Sequence, residues 1–137
     1  MSSKMSTLGV KKIVVIISML ATSLFAEIQW MQYDEAFLKA KKENKIVMVM
    51  LSKEGCPACE YMKDIVFEND DVLDAFNKDF VGVHLDINDD YVPDRLAYIG
   101  TPTFHFLNKH ESKIDRIDGG VNSRDFTLKM RELISKK

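Results

Sequence analysis

The chain has 137 residues, with 19 basic against 21 acidic side chains, a formal charge of −2 and 46% hydrophobic residues. That length holds one domain around a single core, and a mildly acidic balance without a basic cluster excludes nucleic acid as the expected partner. Only two cysteines are present, so any thiol chemistry must come from that one pair.

The first segment does not read as part of a fold. Lys4, Lys11 and Lys12 make it positive with no acidic residue, and residues 13–25 form an apolar run broken only by Ser and Thr. Ala26 is a small residue suited to the last position before a cleavage. This is the pattern of a secretory signal peptide, and the run is shorter than the roughly 20 residues that span a bilayer as a helix. The expected division is a signal peptide over residues 1–26 and one domain over residues 27–137. That domain holds 16 basic and 21 acidic residues, a formal −5. The alternative is an uncleaved segment that anchors the domain to a membrane. No cysteine lies near the cleavage site, which argues against a lipid anchor.

Residues 33–42 place Tyr33, Ala36, Phe37 and Ala40 at helical spacing with lysines at the end, predicting an amphipathic helix. Residues 46–51 are six consecutive apolar residues, as in a strand buried on both faces. Residues 59–67 read as a helix with Pro57 in its first turn, and residues 70–77 as another, capped by Asp70 or Asp71. A strand over 80–87 and a short helix over 91–99 follow. Residues 103–107 and 113–117 are strands close enough for a hairpin. Asn122 or Ser123 caps a last helix running to about Ser135, with Phe126, Met130, Leu133 and Ile134 as its apolar face. There is no repeat, and the alternation predicts an α/β domain with a mixed sheet.

Cys56-Pro57-Ala58-Cys59 sits where the first strand runs into a helix. Two cysteines so spaced at a helix mouth are the signature of a thiol–disulfide exchange site. An exported protein can use disulfides as staples, but this loop is so short that closing it removes little chain entropy. Zinc usually takes four ligands, and the chain has no second Cys-x-x-Cys and three histidines. Cys56 is the expected nucleophile, because N–H groups at a helix start stabilise a thiolate. Cys59, about a turn deeper, is the expected resolving thiol.

With the apolar strand, Cys56 to Cys59, the strand over 81–87, Gly100-Thr101-Pro102-Thr103 about 45 residues later and Arg116-Ile117-Asp118-Gly119 in place, the chain resembles the thioredoxin family over nearly all of residues 27–137. The opening, from Trp30 through Glu35-Ala36 and Ala40-Lys41 to Lys45, is similar to exported thioredoxin-like proteins. So are Met62 and Val66-Phe67 after Cys59. The resemblance implies a thioredoxin fold, a mixed central sheet flanked by helices. It also implies that Pro102 is cis and packs beside the cysteines, leaving the backbone of Thr101 to face a partner that adds as a short strand. Gly55, Pro57, Thr101 and Pro102 are then the substrate-binding residues.

The chain departs from the family at three positions. The buried Asp expected six residues before the first cysteine is Met50, and the Lys expected near it is His84. Glu54, His84 or water is left to take the proton of the resolving thiol, although His84 also reads as a partly buried strand residue with its nitrogens satisfied. The Trp expected just before Cys56 is Gly55. Trp30 reads as packing of the first segment, and His105 and His110 as surface or edge residues. Met48 and Met50 read as core filling rather than a soft-metal site. Asp86, Asp89, Asp90 and Asp94 lack the spacing of a Ca²⁺ loop and read as a solvated turn.

The expectation is an exported, periplasmic thiol:disulfide oxidoreductase that reduces disulfides of other exported proteins. It works without cofactor or metal, as a monomer, and is recharged by a membrane electron donor. A reductase is favoured over a dithiol oxidant because the family resemblance implies a large inserted helical domain in the periplasmic oxidases, and residues 83–101 leave no room for one. The alternatives are such an oxidant, a redox-inert binding protein on the same fold, and a metallochaperone.

Overall fold

A computed structural model describes residues 27–137; residues 1–26, where the signal peptide is expected, lie outside the described residues. In chain order the elements are α1 (Tyr33–Glu43), β1 (Ile46–Ser52), α2 (Pro57–Tyr61) continuing into a π-helical segment (Met62–Val66), α3 (Asp70–Asp79), β2 (Phe80–Asp86), β3 (Thr103–Leu107), β4 (Lys113–Asp118) and α4 (Ser123–Ile134). The four strands form one sheet in the order β2-β1-β3-β4. β1 runs parallel to β2 and antiparallel to β3, and β3 pairs antiparallel with β4. The sheet is mixed, with helices on both faces.

All seven residues of β1 are buried, so its near-continuous apolar run is what two covered faces demand. Alternate residues point to opposite faces. Ile46, Met48 and Met50 join Phe104 and Phe106 of β3 in the larger core, under Cys59, Met62, Val66, Phe67, α3 and α4. Val47, Val49 and Leu51 join Val81, Val83 and Leu107 in the smaller core, under Ala36, Phe37 and Ala40 of α1 and under Leu96. Phe67, Phe104 and Phe126 meet edge to face at centroid distances of 5.6–6.0 Å, the geometry their quadrupoles favour. Trp30 bridges to Gly82 on the outer edge of β2. A Cβ at Gly82 would lie 3.0 Å from the Trp30 ring, so the absence of a side chain there admits the indole.

The structure departs from the sequence reading at four places. The helix after the cysteines is α-helical only to Tyr61. It then widens so that Phe67 N–H donates to Met62 O, 2.8 Å away and five residues back. In a regular α-helix residues five apart point about 140° away from each other. The wider turn swings Phe67 back, so that Met62, Val66 and Phe67 are all buried. α3 is capped by Asn69, whose Oδ1 accepts from Asp71 and Val72 N–H, not by Asp70 or Asp71.

Residues 91–99 are not a helix. The segment holds only an i→i+3 turn, with Leu96 N–H donating to Pro93 O at 2.8 Å. Pro93 disfavours the helical region for Val92, and Leu96 alone is buried, so no apolar face exists to hold a helix down. His105, read as a surface or edge residue, is buried on β3, and its Nε2 donates to Ala97 O at 2.8 Å. The bond ties the irregular segment to the sheet.

Burial holds the His105 pKa below the ordinary histidine value, helped by Lys113 and Arg116. The Ala97 carbonyl and Asp118 pull the other way and lose. A depressed folded-state pKa means that the unfolded chain binds more protons near that pH. The stabilisation is therefore present above about pH 6.5 and is lost as pH falls. We expect urea unfolding to give a lower free energy at pH 5.5 than at pH 7.5, with a smaller difference in His105→Asn. Carboxylates titrate mostly below that window. A gain of stability on acidification would contradict this account.

Candidate active site

β1 ends at Ser52 and delivers the chain to Cys56, the N-cap residue of α2, with Pro57 at the first helical position. Proline suits that position because its missing N–H would have no helical partner anyway. Cys56 and Cys59 are joined as a disulfide, with Cα atoms 5.2 Å apart. Cys59 is fully buried and Cys56 is 4% exposed, so solvent and partners reach the pair through Cys56. The Cys59 backbone N–H donates to Cys56 Sγ at 3.2 Å. In the reduced protein that donor stabilises a thiolate at Cys56.

Thr101 lies across from the pair, its carbonyl oxygen 3.5 Å from Cys56 Sγ. That oxygen accepts an S–H from a protonated Cys56 and repels a thiolate, so it opposes the Cys59 amide. The Thr101–Pro102 peptide bond is cis, and Pro102 is buried. Thr101 Oγ1 is buried without a hydrogen-bond partner among the described residues. Gly55 has φ +71, a conformation side chains rarely adopt, while nothing lies within 4 Å of where its Cβ would be. Backbone shape, not space, excludes a large residue there.

A third loop closes the ring. Gly119 N–H donates to Pro102 O at 2.8 Å, and Val121 N–H donates to Met62 Sδ at 3.3 Å. A Cβ on Gly120 would sit 3.7 Å from Ala58 and 3.8 Å from Tyr61. The cysteine helix, the Thr101–Pro102 turn and the 119–121 loop are thus fastened to one another around the disulfide. Met62, which the sequence analysis tied to the family pattern, supplies one of the fastenings.

Met50 is fully buried in the same core as both cysteines, so no carboxylate lies there. His84 pairs with Met50 across the β1–β2 ladder and shares the sheet face of Gly82. Its Nε2 is hydrogen-bonded with Ser52 Oγ at 2.5 Å, and its ring lies 5.6 Å from that of Trp30. Burial lowers its pKa, with help from Lys63, against the opposing pull of Asp86, Asp90 and Glu60. Burial therefore favours the neutral form of His84 at neutral pH. The sequence reading missed Ser52; the available signal was its place two residues after Met50, on the same strand face. Glu54 is exposed on the loop before Gly55.

The remaining polar candidates fall outside this site. His110 is exposed in the β3–β4 turn, where its N–H donates to Asn108 Oδ1. Asp90 Oδ2 accepts from the Asp86 N–H at the end of β2, and Asp86 Oδ1 accepts from the Asn88 N–H in the loop that follows. Met48 is core.

Residues 29–109, more than half of the chain, match a family model described as thioredoxin-like. Anterior gradient protein 3 of Xenopus tropicalis is 26% identical over 110 residues, 78% of this chain and 66% of that protein. Spermatogenesis-associated protein 20 of Rattus norvegicus is 38% identical over 52 residues, 38% of this chain and 7% of that protein. The chain thus spans less than two thirds of either curated relative. Among solved structures, a thioredoxin from Thermus thermophilus superposes with a TM-score of 0.69 at 26% identity, covering 80% of this chain and 89% of that one. The chain belongs to the thioredoxin-like family, and its Cys56–Cys59 disulfide stands at the head of α2.

Proposed function

We propose that the protein is an exported reductase that acts on disulfides of other exported proteins in the periplasm. The observation that carries the redox role is the disulfide itself: Cys56 at the head of α2, 4% exposed, above a fully buried Cys59. The Cys56 thiolate attacks one sulfur of a partner's disulfide. That S–S bond breaks, a mixed disulfide forms, and the partner's other sulfur leaves as a thiolate and is protonated. Deprotonated Cys59 then attacks Cys56 Sγ and releases the partner's second thiol. Two electrons pass from the cysteine pair to the partner, and a membrane dithiol donor must return them.

His84, hydrogen-bonded to Ser52, takes the Cys59 proton in this scheme. It is neutral and faces the core side of the sheet, whereas Glu54 is solvent-exposed. Thr101, Pro102, Gly55 and Pro57 form the floor on which the partner's backbone lies. Support for export comes from the lysines and the apolar run of residues 1–26.

Insulin reduction with dithiothreitol as donor tests the redox reading. Wild type accelerates it, and Cys56→Ser falls to background. Cys59→Ser also loses turnover and, when reduced, freed of dithiothreitol and mixed with insulin, forms an adduct with an insulin chain that added dithiothreitol releases. His84→Gln slows turnover on the order of a hundredfold, the lower end of what a lost general base costs. A Cys56→Ser protein with undiminished rate would sink the proposal. For export, the protein made in a bacterial cell with a periplasm should be recovered from that compartment with Glu27 as its first residue. Recovery of the full chain in the cytoplasm would refute it.

A further inference from the structure

Met62 is fully buried in the larger core, where a leucine would fill about the same volume. Its sulfur does what a leucine cannot: Sδ accepts the Val121 backbone N–H at 3.3 Å. Val121 is half-buried, so its N–H needs a partner, and thioether sulfur is a weak acceptor. Among the described residues this is the hydrogen bond that joins the 119–121 loop to the cysteine helix.

The other end of that loop bears on the Thr101 turn. Gly119 N–H donates to Pro102 O at 2.8 Å, and the Thr101 carbonyl oxygen is 3.5 Å from Cys56 Sγ. Gly120, between the two anchored residues, runs close over the first turn of the helix: a Cβ there would meet Ala58 Cβ at 3.7 Å and Ala58 O at 3.9 Å. Asn122, next after Val121, caps α4 through the Asp125 N–H. The loop is thus a strut between the helix and the turn. Its base is fixed, because Met62 N–H donates to the Ala58 and Cys59 carbonyls and Met62 O accepts the Phe67 N–H at 2.8 Å in the π-helical turn.

We infer that Met62 is a positioning residue for the reaction: through the 119–121 loop and Pro102 it holds the Thr101 carbonyl against Cys56 Sγ and keeps that thiol from ionising early. The inference rests on the redox reading above. The carbonyl accepts an S–H from the thiol and repels the thiolate. The Cys59 N–H, which favours the thiolate, belongs to the helix itself and stays in place when the loop relaxes. Loss of the strut therefore removes one side of the opposition only, and the thiolate gains. The direction suits a reductase. A pair whose thiolate is not strongly stabilised is the more reducing one, and its sulfur is the better nucleophile once ionised.

The test follows the rate of Cys56 alkylation by iodoacetamide across pH in the reduced protein, Cys59 being fully buried. The acid side of the profile reads the thiolate fraction, and the alkaline plateau reads access and intrinsic reactivity. Glu54 and Glu60, the carboxylates nearest in sequence, are the same in every variant and cancel. Met62→Leu should move the midpoint to lower pH and raise the acid-side rate about threefold to tenfold, the weight of about one hydrogen bond, while the plateau does not rise. Met48→Leu makes the same chemical change at another fully buried methionine of that core and should keep the wild-type profile; its thermal midpoint shows what repacking alone does. A Met62→Leu profile that matches wild type, rises equally at every pH or is shared by Met48→Leu would overturn the inference and leave the redox reading intact. In the wild type the Gly119 and Val121 amides should exchange hydrogen slowly and together, a measurement that holds even if Met62→Leu does not fold; a Val121 amide that exchanges like an exposed one also overturns it. A cysteine pair that never cycles reversibly would overturn both.

Discussion

The arrangement depends on a strand buried on both faces. β1 has apolar neighbours above and below along its whole length, so it must lie inside the sheet, between a parallel and an antiparallel partner. Burying one such side chain contributes about 1.5–3 kcal/mol, and the strand carries six in a row, so its position is strongly fixed. Its end is then a fixed point, and the chain leaving it turns directly into the cysteine helix. The β2 end, the β3 start and the β4 end lie at the same edge of the sheet, which brings the segments around Asp86, Thr101 and Gly119 to the disulfide. Clefts at the carboxyl ends of parallel strands are the usual home of sites in α/β sheets, and this one follows the same geometry.

Much of this was legible in the sequence because it follows from local rules. The apolar run at residues 46–51, the periodicity of α1 and α4, the hairpin around Asn108 and the cysteine spacing each follow from nearest-neighbour chemistry. What the sequence concealed depends on distant partners. The π-helical turn after Tyr61 exists because Phe67 must reach Phe104 and Phe126, residues far along the chain. The irregular run before Thr101 resembles a helix in composition, but it lacks a second buried side chain and is held by His105 and Arg116 instead. His105 itself could not be placed without knowing that β3 is central, since a histidine in a short strand is equally compatible with an edge. Ser52 became visible only when the strand register set it beside His84.

The electrostatics around the cysteines are finely opposed. One backbone N–H faces Cys56 Sγ from within its own helix, and one carbonyl faces it from the Thr101 turn. The first favours thiolate and the second favours thiol, so the reactivity of Cys56 depends on how firmly the Thr101 turn is held. That turn is tied through Pro102 to Gly119, and the same loop through Val121 to Met62. Below the pair a thioether replaces the expected carboxylate. The polar groups sit two residues along β1 and across on β2, where His84 and the Ser52 hydroxyl are hydrogen-bonded to each other and the histidine stays neutral, which avoids the cost of a resting charge in such a core.

The most direct test is equilibration of the purified protein with mixtures of reduced and oxidised dithiothreitol, the fraction of free thiol being read by alkylation and mass. The account predicts one reversible two-electron transition of Cys56 and Cys59 near the reducing, thioredoxin-like end of the scale, about −270 mV. A pair that never reduces reversibly would contradict a thiol–disulfide exchange centre, and a transition near about −120 mV would make the protein an oxidant rather than a reductase.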